Sequence, residues 1–211
     1  MRFLIVAVLA LAPFAASAER ASTLDVYLLK SNIDIDFDLA AGDSDGDGFG
    51  LRYARDFGAH GYWFAEYEDA SYDRLTDGFF FMDPEQTVMR GGVGAHSAGA
   101  GPRWYGALSY VKVDRAYGPD ADDEYSDSGF GLEAGVRAAL VGRLAGFVEL
   151  GNTWAGDMSG FAYGFGLDFA FTEGFHGILE YGVANLDHEI ESDSTIDTQF
   201  TDTRLGLRWT F

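Results

Sequence analysis

The sequence predicts an all-β fold: a closed antiparallel up-and-down transmembrane β-barrel of ten strands, with eight strands as the alternative. Three observations predict it. Large apolar residues alternate with small or charged ones along most of the chain, the period of a strand with two unlike faces. The polar face mixes glycine with full charges instead of the Lys, Thr and Ser of a solvated sheet, which suits a narrow lumen where space is short and charges pair across the interior. Connections alternate between short turns and mostly longer acidic loops, as expected of strands that cross a membrane back and forth.

The elements follow in order. Arg2, the apolar run Leu4 to Phe14 and the small-residue triplet Ala16-Ser17-Ala18 read as a secretory signal peptide over residues 1–18. The run is too short to span a bilayer, which takes about 20 residues. Residues 19–211 are then the barrel. Strands are expected near 22–39, 48–57, 61–73, 86–98, 103–115, 129–141, 143–155, 159–171, 175–187 and 198–211. Each reaches the roughly 9–11 residues that a tilted crossing needs.

One kind of strand follows an acidic, glycine-bearing loop. "GFGLRYARDF" sets Phe49, Leu51, Tyr53 and Phe57 opposite Gly50, Arg52, Ala54 and Asp56. "GFGLEAGVRAAL" sets Phe130, Leu132, Val136 and Leu140 opposite Gly131, Glu133, Gly135 and Arg137. "FAYGFGLDFAF" sets Phe161, Tyr163, Phe165, Leu167, Phe169 and Phe171 opposite residues including Gly164, Gly166 and Asp168. The other kind runs from an aromatic or apolar start to an acidic end, as in the stretches from Tyr62, Trp104, Arg143 and Gly174. Together they make a hairpin unit that recurs every 30 to 45 residues or so. Short connections fall near 58–60, 99–102, 142 and 172–174; longer acidic ones are expected at 40–47, 76–85, 119–128 and 186–197.

Composition narrows the function classes. The whole chain has 14 basic and 34 acidic residues, a net charge of −20, and removal of the leader with Arg2 makes it −21. Such a surface does not hold nucleic acid by counterion release. The absence of Cys rules out disulfides and an acylated-Cys anchor. The longest run without Asp, Glu, Lys or Arg after the leader, Gly91 to Pro102, has 12 residues and is mostly glycine and alanine, so no transmembrane helix follows. In hydrocarbon every backbone polar group needs a partner inside the protein, and with no spanning helix a closed barrel is the remaining solution.

The inward face is expected to carry Arg52, Asp56, Glu66, Arg90, Glu133, Arg137, Glu149, Asp168, Glu180, Arg204 and Arg208. Five arginines and six acids nearly neutralise one another, and the guanidinium fork suits bidentate pairing. Such a set either plugs the lumen or lines a narrow conduit. Arg137 is expected to neutralise Glu133, Glu149 or other acids. Aromatics mark both rims: Phe57, Trp63, Trp104, Phe171, Phe175, Trp209 and Phe211 by the short turns, and Phe49, Phe130, Trp154 and Phe161 by the long loops. Two belts are expected where rings sit at headgroup depth.

On these features the chain resembles the small outer-membrane β-barrels of the OmpA transmembrane-domain and OmpW type. The most specific motif is the final strand "TRLGLRWTF", which alternates apolar residues up to Phe211. The resemblance implies that Leu205, Leu207, Trp209 and Phe211 form the signal read by the barrel-assembly machinery. It implies a monomer of a Gram-negative-type envelope, in contact with outer-membrane lipid and lipopolysaccharide. The expected role is structural, envelope-stabilising or surface-interacting; the alternative is a small porin passing ions or small solutes through the charged lumen, and behind it stand a rim-located hydrolase and a soluble periplasmic carrier barrel with its apolar faces turned inward.

Enzymatic and metal readings find less support. Ten-stranded omptin proteases use Asp and His at the outer rim, but here Leu186 stands two residues before His188 in place of an Asp. Lipid A deacylases use a His-x-Ser arrangement, whereas His96 and Ser97 are adjacent. No nucleophile–base pair assembles, so an enzyme is not expected, and no cofactor is implied. In "GDSDGDGFG", Asp43, Asp45 and Asp47 open like a calcium loop, but the twelfth position, where a bidentate Glu would be needed, is Ala54. At most a weak surface calcium contact is expected there. Phe79, Phe80, Phe81 and Met82 form an apolar cluster in an expected loop, a possible outer contact patch.

Overall fold

The computed structural model describes residues 21–37, 40–73, 75–77, 80–82, 84–98, 101–116, 124–190 and 194–211. The expected leader lies outside these residues. Twelve strands form: β1 (Ser22–Phe37), β2 (Ala40–Phe57), β3 (Gly61–Tyr72), β4 (Leu75–Asp77), β5 (Phe80–Met82), β6 (Glu85–His96), β7 (Arg103–Ala116), β8 (Glu124–Val141), β9 (Leu144–Ala155), β10 (Met158–Ala170), β11 (Phe175–Ile190) and β12 (Ser194–Thr210). Ten of them close into an all-antiparallel barrel; β4 and β5 form a separate two-stranded hairpin between β3 and β6. Closure is made by β1 and β12, from Thr23 opposite Thr210 to Asp36 opposite Asp197, and is sealed by the Ser22 amide donating to the Phe211 carbonyl at 2.8 Å.

The strands run further than the sequence suggests. Acidic stretches read as outer loops are ladder instead: Ala40–Asp47 belongs to β2, 124–128 to β8, and 186–190 and 194–197 to β11 and β12. β2 has 18 residues, well beyond the roughly 9–11 that a crossing consumes. The surplus extends the barrel wall past the stretch whose outward residues are apolar, and there the amide ladder still satisfies the backbone. The expected loop at 76–85 likewise contains a hairpin, with Leu75 opposite Met82, Thr76 opposite Phe81 and Asp77 opposite Phe80. Phe79 and the side chains of Phe80, Phe81 and Met82 lie outside the described residues.

Beyond the membrane the two faces of the wall exchange character. In β1 the outward residues are Leu24, Val26 and Leu28, then Lys30, Asn32, Asp34 and Asp36. The inward ones are Asp25 and Tyr27, then Leu29, Ser31 and Ile33, all buried. Lower down the barrel is apolar outside and charged inside. Higher up it is charged outside, with a dry core of Leu29, Ile33, Ala70, Tyr72 and Phe200 inside. A second apolar cluster, Val111, Val113, Ala155 and Met158, faces the interior from β7, β9 and β10. Each face follows its solvent: hydrocarbon outside below, water outside above.

The lower outer surface is a continuous apolar band, with Leu28, Val93, Leu108, Leu132, Val148, Phe165 and Leu205 among its exposed residues. So large an apolar surface is tolerated only against lipid or a partner. The aromatic residues expected at its rims lie on the outward face. Phe49, Phe57, Trp104, Phe130, Trp154, Phe161, Phe171, Trp209 and Phe211 are exposed, while Trp63 rests 5.0 Å from Tyr53 and Phe175 5.4 Å from Trp209, between ring centroids.

Glycine matters most where a ring must cross the lumen. Tyr27 is 2% exposed and lies across Gly50 of the neighbouring strand; a Cβ at that position would fall within the ring. Gly50→Val is therefore expected to displace Tyr27 and cost about 1–3 kcal/mol, the usual penalty of overpacking. Urea unfolding followed by the gel-mobility difference between folded and unfolded barrel checks it. A tight turn at Gly142, with φ +57°, passes β8 directly into β9.

Candidate functional site: the charged lumen

The register builds an alternating row of charge around the inner wall. Arg208 faces Asp25, Asp25 faces Arg52, Arg52 faces Glu66 and Glu66 faces Arg90, across β12, β1, β2, β3 and β6. Because inward residues of adjacent strands sit side by side, Asp25 and Glu66 each lie between two arginines and Arg52 between two carboxylates.

Three arginine forks carry most of the contacts. Arg208 donates to both oxygens of Asp25, at 2.7 and 2.6 Å, and from Nη1 to Asp168 at 2.8 Å. Arg52 donates from Nε to Glu66 at 2.9 Å and reaches across the lumen to Glu180 on β11, at 3.2 and 3.3 Å. Arg204 donates to Glu68 at 2.6 and 3.3 Å and to Asp202 at 3.1 Å. Such bidentate, charge-assisted bonds are strong and directional. Tyr27 fills the space between them, its hydroxyl shared between Glu66 at 3.0 Å and Glu68 at 2.8 Å.

Each inward residue expected from the sequence can now be placed. Arg52, Glu66, Glu180, Arg204, Arg208 and Asp168 belong to the bonded network. Arg137 also belongs to it, through Asp168, and not through Glu133 or Glu149. The choice among the acids has a simple cause: Glu133 lies on the same strand, four residues along, whereas Asp168 projects into the same lower part of the lumen. Arg90 is looser, with Nη1 at 3.7 Å from Glu66 and 3.8 Å from Glu133. Glu149 accepts the Tyr105 hydroxyl at 2.9 Å. Asp56 lies at the lower mouth beside Arg103, at 3.5 Å, and His96, at 3.7 Å.

Several members escape the sequence reading. Asp25 and Tyr27 hide in "LDVYLL", where large apolar residues on both faces obscure the alternation. Glu68 and Asp202 look like the acidic ends of strands. His176, expected in or beside a solvated turn, points inward and places Nδ1 2.6 Å from Asp168. Arg115, near the outer end of β7, is buried above the network at 8% exposure.

The network divides the lumen. A lower cavity of about 380 Å³ is lined by residues including Asp25, Asp56, His96, Arg137, His176 and Arg208. An upper cavity of about 150 Å³ is lined by residues including Val88, Val111, Arg115, Leu186 and Phe200. Arg90, Glu133, Phe147, Glu149 and Glu180 border both and form the shelf between them.

The other expected sites fall elsewhere. Asp43, Asp45 and Asp47 are not in a loop but lie along β2, exposed on its outward face above Phe49, with Asp47 3.0 Å from Lys30. Ala54 lies lower on the same strand and lines the lower cavity. Among the described residues no group of three or more His, Cys, Asp or Glu is disposed to hold a metal ion. His188 faces Met158 in the ladder, and its side chain lies outside the described residues. Leu205, Leu207, Trp209 and Phe211 project outward from the closing strand and its end.

Comparison with known proteins adds the fold's setting. No family model matches the chain, and no curated protein matches it. Solved structures do. The translocator domain of the autotransporter NalP from Neisseria meningitidis superposes with a TM-score of 0.52 at 14% identity, covering 90% of this chain and 88% of that one. The outer membrane protease OmpT from Escherichia coli superposes with a TM-score of 0.52 at 10% identity, covering 90% and 97%. Ail, the attachment invasion locus protein of Yersinia pestis, gives a TM-score of 0.43 at 15% identity, covering 92% and 99%. The chain is thus similar in fold to outer-membrane β-barrels.

Proposed function

We propose that this chain is an integral outer-membrane barrel with a structural or surface-interacting role, and that its charged lumen is a brace rather than a conduit. The observation that carries the reading is the crossing of Arg52 from β2 to Glu180 on β11, with Glu66 and Tyr27 packed beside it. A conduit for ions needs mobile or water-filled charge. Here the carboxylates at mid-depth are held by arginine forks and tyrosine, and the two cavities lie on either side of them. The apolar band around the outside supports membrane insertion, and the fold shared with solved outer-membrane barrels supports the location. The protease among the similar structures lends this chain its fold and no activity, at 10% identity.

Planar-bilayer recording tests the reading against the porin alternative. The wild-type barrel is expected to show no steady openings, and the Arg52→Ala, Glu180→Ala double variant is expected to show them. Steady wild-type conductance that changes with Arg137→Gln or Glu149→Gln would establish the porin and overturn the brace.

A further inference from the structure

We propose that the upper cavity is a binding site for a small amphipathic monoanion, an apolar body bearing one carboxylate, with Arg115 as the residue that receives the charge. Arg115 differs from the arginines below it. Arg52, Arg137, Arg204 and Arg208 each bond a carboxylate, and Arg90, whose buried Nε also lacks a partner, lies 3.7 Å from Glu66 and 3.8 Å from Glu133. Arg115 makes no ion pair among the described residues, and its Nε and Nη2 are buried with no hydrogen-bond partner. It crosses from β7 to lie over the Phe200 ring of β12, 5.5 Å from the centroid. A guanidinium stays charged at any physiological pH, so burial leaves it with N–H donors that need acceptors. An uncompensated buried charge is costly, and an anion is the partner that relieves it most completely.

The space beneath Arg115 has the complementary character. Val88, Val111, Val113, Ala184 and Leu186 line it, and Phe200 borders it from β12. Its volume of about 150 Å³ is enough for a benzene-sized molecule, and its wall mixes these apolar residues with charged ones. Four of the acids around it have hydrogen-bonded partners: Glu68 and Asp202 hold Arg204, Glu180 holds Arg52, and Glu149 accepts from Tyr105; the fifth, Glu133, lies 3.8 Å from Arg90. They do not reach Arg115, but they would repel a second negative charge. One carboxylate on a compact apolar body therefore fits, and a dianion does not. Arg90, Glu133, Phe147, Glu149 and Glu180 border the site on the side of the lower cavity.

Benzoate and benzyl alcohol make the test, since they share a ring and differ in charge. Titration calorimetry on the folded barrel in lipid nanodiscs is expected to show saturable benzoate binding, with benzyl alcohol at least tenfold weaker. Arg115→Met, which keeps the apolar stem, is expected to lose at least tenfold in benzoate affinity and to leave benzyl alcohol unchanged. Absence of saturable benzoate binding to the wild type, equal affinity for the two probes, or an unchanged Arg115→Met variant would overturn the proposal. If that variant does not fold, the two-probe comparison on the wild type decides alone. Binding is read without reference to conductance, so its failure leaves the brace untouched, and failure of the brace leaves this test standing.

Discussion

Replacing Arg208 with Met is expected to lower the stability of the barrel by about 3–5 kcal/mol, the cost of leaving a buried charge without its partner. Asp25 is the reason. It is 1% exposed, and both its oxygens are held by the Arg208 fork, at 2.7 and 2.6 Å. Arg52, 3.8 Å away, already serves Glu66 and Glu180 and offers poor compensation. Asp168 loses a contact too but keeps Arg137 and His176. Arg137→Leu is accordingly expected to cost less than Arg208→Met, since Asp168 then retains Arg208 and His176. The double variant Asp25→Leu, Arg208→Met removes both charges and is expected to recover much of the loss, because a buried pair is replaceable by apolar packing where a lone charge is not. Urea unfolding of the refolded proteins, read by the gel-mobility shift, supplies all three values. Equal destabilisation by Arg208→Met and Arg137→Leu would contradict the assignment of Asp25 to Arg208.

Phe165→Arg is expected to cost about 2–4 kcal/mol, the penalty for an arginine on the lipid face near the bilayer midplane. Phe165 is 53% exposed on the outer wall of β10, midway between the rim aromatics Phe161 and Phe171. The matched control is Asn32→Arg, on the outer face of β1 above the apolar band, where water replaces lipid and the change is expected to fall within about 0.5 kcal/mol. The pair locates the membrane boundary on the wall. Reversible unfolding in phospholipid vesicles measures both, and similar losses at the two positions would mean that the band extends above Leu28.

How much was legible depends on where a residue sits relative to that boundary. Within the band, alternation identifies each face without ambiguity: Phe161 through Phe171 outward, Gly164, Gly166 and Asp168 inward. The inward set at Arg52, Glu66, Glu180, Arg204 and Arg208 follows from the same parity. Above the band the outward face becomes acidic and the inward face apolar, so the pattern inverts in mid-strand and imitates a loop. Asp43, Asp45 and Asp47 looked like the start of a calcium loop for this reason. They are alternate outward residues of a strand whose neighbours are Asp34, Asn32 and Lys30.

The sequence by itself determined that strands would alternate, that they would close, and which residues would face the interior in the membrane-spanning part. These are one-dimensional consequences of parity and of the need to satisfy every backbone amide in lipid. The tertiary structure decided who pairs with whom. Arg137 meets Asp168 rather than Glu133, Arg52 reaches Glu180 over a sequence separation of 128 residues, and Arg115 is left over a cavity beside Phe200. Those outcomes depend on strand register and on distances across a closed ring. Parity along a single strand carries no information about either.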